Sequence, residues 1–85
     1  MTEIPEYKFV MTPTPKGMRV NETSPSGRTR KKYFRNGYAS ARLSAIAWID
    51  DRKAVMQEAI NTGDVAAQMI KVTVNGVTSV LTRGN

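Results

Sequence analysis

Cysteine and histidine are both missing from this 85-residue chain. Without cysteine there is no disulfide framework, no thiolate nucleophile and no Cys-ligated metal cluster. Without histidine the commonest general base and another main zinc ligand are gone as well. No apolar run approaches the roughly 20 residues that a membrane-spanning helix needs. Neither a glycine-rich phosphate loop nor a nucleophile elbow occurs. The opening residues Met1 to Glu6 are acidic and lack the apolar core of a signal peptide, so the expectation is a cytoplasmic protein without a membrane partner. Asp50 and Asp51 are adjacent acids, and on a helix they point about 100° apart, which suits capping or a solvated face better than a metal clamp. These absences predict a binding protein rather than an enzyme, with no catalytic residues, no metal and no cofactor.

Acid is also scarce where base is dense. From Lys16 to Arg42 there are eight Lys/Arg residues against one acid, Glu22. From Leu43 to Ile70 there are two bases, Arg52 and Lys53, against Asp50, Asp51, Glu58 and Asp64. The net charge of +6 is therefore gathered into one third of the chain, which favours an oriented electrostatic face over general solubility.

The densest part is Arg28 to Arg35, Arg-Thr-Arg-Lys-Lys-Tyr-Phe-Arg, where five cations surround an aromatic pair. Cations attract phosphates and flat rings can stack on bases, so this stretch suits a polyanion with exposed bases. Arg28, Arg30, Lys31, Lys32 and Arg35 are the candidate phosphate ligands, and Tyr33 either stacks on a base or packs at the rim of the core. Phe34 reads as a core residue. Arg19, Lys16 and Arg42 extend the patch if the preceding hairpin folds alongside. A plain alternative is a charged edge strand, because Lys/Arg on an edge discourages unwanted pairing.

Secondary structure follows from spacing. Tyr7, Phe9 and Met11 alternate with polar or exposed positions, which predicts a strand that Pro13-Thr14-Pro15-Lys16-Gly17 should end. Met18 to Glu22 alternates again, so residues 7–22 should form a first hairpin. Residues 23–37 should be a basic loop or edge strand, entered through the turn signal Thr23 to Gly27, and as a strand it would put Arg30, Lys32 and Phe34 on one face and Lys31, Tyr33 and Arg35 on the other. Residues 38–62 carry a helical pattern, with Ser40 as a plausible N-cap and Gly63 as the C-terminal cap. Arg52 falls in the middle of the apolar face. Three accounts are open for it: it snorkels to water, it reaches a carbonyl or carboxylate on the sheet, or the helix breaks near Asp50-Asp51. A break would create two short helices and a winged helix-turn-helix, but the second would be poor in bases for a recognition helix.

Residues 65–83 should form a second hairpin about Asn75-Gly76, a pair that tolerates the positive φ values of a type I′ turn. That turn pairs Val74 with Val77, Val72 with Ser79 and Ile70 with Leu81. The expected fold is one α+β domain over residues 1–85, an antiparallel sheet of four to five strands in the order ββ(β)αββ with one helix packed on one face. Its core should hold Tyr7, Phe9, Met11, Met18, Val20, Trp48, Ile49, Val55, Met56, Ile60, Ile70, Val72, Val74, Val77 and Leu81.

In size, lack of Cys and His, α+β layout and lack of a catalytic constellation, the chain resembles the small accessory proteins of phages and mobile elements. That group includes DNA-binding regulators and inhibitors of host defence such as anti-CRISPR proteins. The resemblance is one of type and covers no motif. It implies a partner that is a nucleic acid or a nucleoprotein complex, with a possible protein contact, and an inhibitor that docks and blocks. The alternatives are a regulator acting on free DNA or RNA and a protein-only interaction module. Monomer and homodimer both stay open.

Overall fold

The structure is a computed structural model that describes residues 4–64 and 68–84. Five strands and one helix follow in order: β1 (Glu6–Thr14), β2 (Gly17–Thr23), β3 (Thr29–Phe34), α1 (Tyr38–Thr62), β4 (Met69–Val74) and β5 (Val77–Thr82). The expected start of the second hairpin at residues 65–67 lies outside the described residues. The strands form one sheet in the order β3-β2-β1-β4-β5.

The sheet is mixed, which corrects the expectation of an antiparallel one. Three neighbouring pairs are antiparallel, but β4 lies parallel to β1, with Tyr7 opposite Val72 and Phe9 opposite Val74. The reason is direction. Two reversals leave β3 running as β1 does, and β4 runs that way too, so the chain between them must travel back along the sheet. A helix of 25 residues, about 37 Å long at 1.5 Å per residue, makes that return.

β1 continues through Pro13 and Thr14, which were expected to end it. The Met11 N–H points away from β2 and donates to Asn75 Oδ1 at 2.8 Å. Two residues on, the Pro13 nitrogen points the same way, past the last β1–β4 pair at Phe9 and Val74. Its missing N–H therefore falls where no ladder bond is needed.

The helix is continuous across Asp50-Asp51, so the two-helix alternative does not occur. It starts after Gly37, whose φ of 86° lies in the left-handed region, rather than at Ser40, and no side chain caps it. Ala41 N donates to the Gly37 carbonyl at 2.9 Å, so the first turn closes three residues before the expected cap could act. At the other end Gly63 has φ 80° and donates its N–H to Ile60 O. Gly63→Ala should lower the unfolding free energy by about 1 kcal/mol, because a Cβ disfavours the left-handed conformation. Urea denaturation would measure it.

Ala41, Ala45, Ile49, Met56 and Ile60 recur at helical spacing, with Arg52 in the one turn they skip, and join Phe9, Met18, Val20, Ile70 and Val72 in one core cluster. Tyr7, Met11, Trp48, Val74 and Leu81 pack partly against it, and the Trp48 ring meets Phe9 edge-on at 6.2 Å. Two expected core residues are outside it. Val55 is 59% exposed, about 100° round the helix from buried Met56. Val77 is 74% exposed at the turn end of β5, whereas Leu81 on the same face of that strand packs against the core. The Asn75-Gly76 turn has both residues at positive φ, 47° and 85°, and the predicted register holds: Val74 with Val77, Val72 with Ser79, Ile70 with Leu81.

Candidate nucleic-acid interface

The basic segment is an edge strand. β3 pairs with β2 alone, and all its residues are exposed except half-buried Phe34. Alternation divides its cations between two faces. Arg30, Lys32 and Phe34 stand opposite Glu22, Val20 and Met18, which are buried, so these three project on the core side. Thr29, Lys31 and Tyr33 stand opposite Thr23, Asn21 and Arg19 and project on the other side. Both rings carry a cation: Lys32 Nζ lies 5.9 Å from the Phe34 centroid, and the Arg35 guanidinium carbon 5.3 Å from that of Tyr33. Such contacts hold the long chains near the strand without consuming their charge.

The electrostatics turn on Glu22. It is the one acid of the basic third, and its carboxylate receives the Nε of Arg52 at 2.8 Å and the Nη2 at 2.9 Å. This forked pair is the one salt bridge among the described residues, and Glu22 is only 4% exposed. Of the three accounts of Arg52, the structure shows the one in which it reaches a carboxylate on the sheet. Hydrogen bonding to Glu22 holds the guanidinium above its usual range, against the opposing effect of burial. A raised folded value contributes stability at every pH below the ordinary arginine range and loses it only at extreme alkaline pH. Arg52 therefore brings no pH dependence near neutrality. With Glu22 internally satisfied, no acid from Lys16 to Arg42 is left to offset the eight cations outside.

The remaining candidates fall into small groups. Arg28 and Arg30 line a cleft of about 220 Å³ with Tyr7, Ser24 and Arg52, and Glu22 also borders it. Lys16 and Arg35 share a shallow cleft of about 340 Å³ with Thr14 and Pro15. Arg19 lies opposite Tyr33. Arg42 is exposed on the helix and shares no cleft, ion pair or hydrogen bond with the others among the described residues. A further cleft, about 480 Å³ between the start of β1 and the loop after β2, has Lys8 and Glu6 as its charged groups.

Residues that sequence reasoning did not assign to the site also appear. Lys8 pairs with Thr23 and Thr73, and Glu6 with Lys71, so Lys8 and Lys71 share the face of Lys31 and Tyr33. Alternation within β1 and β4 already set Lys8 and Lys71 against the core, but which strands adjoin was not visible. On the same face two polar atoms, Arg19 Nε and Asn21 Oδ1, are shielded from solvent and have no hydrogen-bond partner among the described residues.

Among the described residues no three Asp or Glu side chains converge as metal ligands, and no helix is long and apolar enough to cross a membrane. No family model, curated protein or solved structure matches this chain.

Proposed function

We propose that this chain is a small non-enzymatic binding protein that docks on a nucleic acid-containing complex in the cytoplasm and blocks it. In type this is an anti-CRISPR-like inhibitor of the kind encoded by phages and mobile elements. Arg28, Arg30, Lys31, Lys32, Tyr33 and Arg35 form the main contact, extended by Arg19, Lys16 and Arg42. The observation that carries the proposal is the pairing of Glu22 with Arg52, which leaves the basic third of the chain without an exposed acid. The layout is that of a helix covering one sheet face, so that the basic edge and the opposite face stay available to a polyanion. A second function, regulation of free DNA or RNA, is favoured by that uncovered face, since strands can lie directly on nucleic acid.

Fluorescence anisotropy with labelled duplex DNA, single-stranded DNA and RNA, titrated with salt, tests the proposal. Log K should fall with log salt at about 0.7 to 0.9 per phosphate contacted. Changing Arg28, Arg30, Lys31 and Lys32 to alanine should flatten that slope by about 3 to 3.5. Tight, sequence-dependent binding at physiological salt would favour the regulator. Weak, salt-labile binding, with nuclease-sensitive capture of a complex from lysate, would favour the inhibitor. An unchanged slope in the variant would reject the basic segment as the contact.

A further inference from the structure

We infer that the sheet face turned away from the core is a site for single-stranded nucleic acid, with a base stacked on Tyr33 and phosphates held by Lys8, Lys31 and Lys71. The inference rests on the nucleic-acid function proposed above and deepens it. Sequence order lumps Arg28 to Arg35 into one basic arm. Strand geometry divides it: Thr29, Lys31 and Tyr33 share a face with Arg19, Lys8 and Lys71, and the Arg35 guanidinium lies over the Tyr33 ring there, whereas Arg30 and Lys32 project on the core side.

Charge and surface on this face suit a single strand. Four strand cations lie on it (Lys8, Arg19, Lys31 and Lys71) with the Arg35 guanidinium over Tyr33, and the one acid among its described strand residues, Glu6, already accepts a hydrogen bond from Thr73 Oγ1 at 2.7 Å. From β3 to β4 is three strand spacings, about 14 Å, so Lys31 and the lysines of β1 and β4 can flank a chain lying between them. Two apolar side chains are exposed among them, Tyr33 at 46% and Val10 at 49%. A duplex hides its bases and would offer Tyr33 and Val10 only phosphates. A single strand offers rings as well. Tyr33 already carries the planar Arg35 guanidinium at 5.3 Å, and a nucleobase is a partner of the same flat shape.

The unpartnered atoms lie in the same place. Arg19 stands opposite Tyr33 and Asn21 opposite Lys31, and Arg19 Nε and Asn21 Oδ1 are the two shielded polar atoms left without a partner. They form an adjacent donor and acceptor, and the asparagine amide can turn to offer either group. Base edges carry donors and acceptors that match such a pair once neighbouring side chains move aside.

Alternation supplies an internal control. The probes are a labelled oligothymidylate of about 12 nucleotides, within the usual site size of sheet-based single-strand modules, a duplex of equal length, and inorganic polyphosphate as competitor. One variant carries Lys31→Ala with Tyr33→Ala, and the other carries Arg30→Ala with Lys32→Ala on the core side of the same strand. The second removes more charge, so a purely electrostatic surface predicts that it loses more affinity. The open-face site predicts the reverse. Lys31→Ala/Tyr33→Ala should weaken oligothymidylate binding more than tenfold, and Arg30→Ala/Lys32→Ala by only a few-fold. Tyr33→Phe should retain binding and Tyr33→Leu lose roughly tenfold, which separates stacking from bulk.

All four positions are exposed on an edge strand, so urea denaturation should show unchanged folding. A larger loss from the core-side variant, or polyphosphate competing as well as oligothymidylate, would overturn this site while leaving nucleic-acid binding in place. No binding of any probe would overturn both.

Discussion

Replacing Arg52 by methionine should lower the unfolding free energy by about 3 kcal/mol, measured by urea denaturation. The magnitude depends on which regime the ion pair occupies. Exposed pairs contribute about 0 to 1 kcal/mol, whereas removing one partner of a buried pair costs about 3 to 5. Glu22, at 4% exposure, decides for the second: without Arg52 its carboxylate would sit unpaired on the core side of the sheet, while Arg52 itself keeps 27% of its side chain in contact with solvent. Changing both residues, Glu22→Leu with Arg52→Met, should recover most of the loss, because apolar side chains of similar size need no partner. A single-variant loss below about 1 kcal/mol would mean that water screens the pair. Arg52→Met should also weaken nucleic-acid binding, since it leaves a bare carboxylate beside Arg28 and Arg30 in the same cleft. Stability and charge are thus coupled through one contact between helix and sheet.

Gly17→Ala should be of similar size, about 3 kcal/mol, for a steric reason. A Cβ at Gly17 would fall on the Phe34 carbonyl oxygen, far inside contact distance, and 3.0 Å from the Ala41 Cβ. The obstacle is backbone, which cannot swing away as a flexible side chain can. Shortening the other neighbour, Ala41→Gly, should therefore fail to rescue the variant. Gly17 lies where the end of β3 and the start of the helix close over the first hairpin turn, and Gly37 N also donates to Lys16 O there at 3.3 Å. The substitution should thus displace Phe34 and Arg35 from β2, and amide exchange should report faster opening of that end of the sheet. A loss near 1 kcal/mol, as expected at Gly63, would show that the strand end yields easily.

Much of the fold was legible because much of it is local. Asn75-Gly76 specified its turn, and the turn specified the register of six residues, since both positions tolerate positive φ. Gly63 marked the helix end for the same reason. Pro13 misled because a missing N–H matters only if a strand lies on that side, and none does past Phe9. Ser40 misled because cap preference is weak against a glycine that turns the chain three residues earlier. Val55 and Val77 are hydrophobic, but burial also requires cover, and both remain more than half exposed.

The candidate interface divides in the same way. Arg28, Arg30, Lys31, Lys32, Tyr33 and Arg35 stood out from composition alone, and strand alternation already divided Lys31 and Tyr33 from Arg30 and Lys32. Lys8 and Lys71 did not stand out, because each is an isolated lysine until β1 and β4 lie side by side.

By itself, then, the sequence determined the elements, two of the turns and the concentration of charge, all of which depend on residues a few positions apart. Only the tertiary structure decided that β4 runs parallel to β1, that Glu22 finds Arg52 30 residues away, and that Lys8 and Lys71 join the face of Tyr33. Those outcomes follow from burying one apolar cluster shared by helix and strands, an interaction with no sequence period. The partners it brings together are set by geometry across the whole chain.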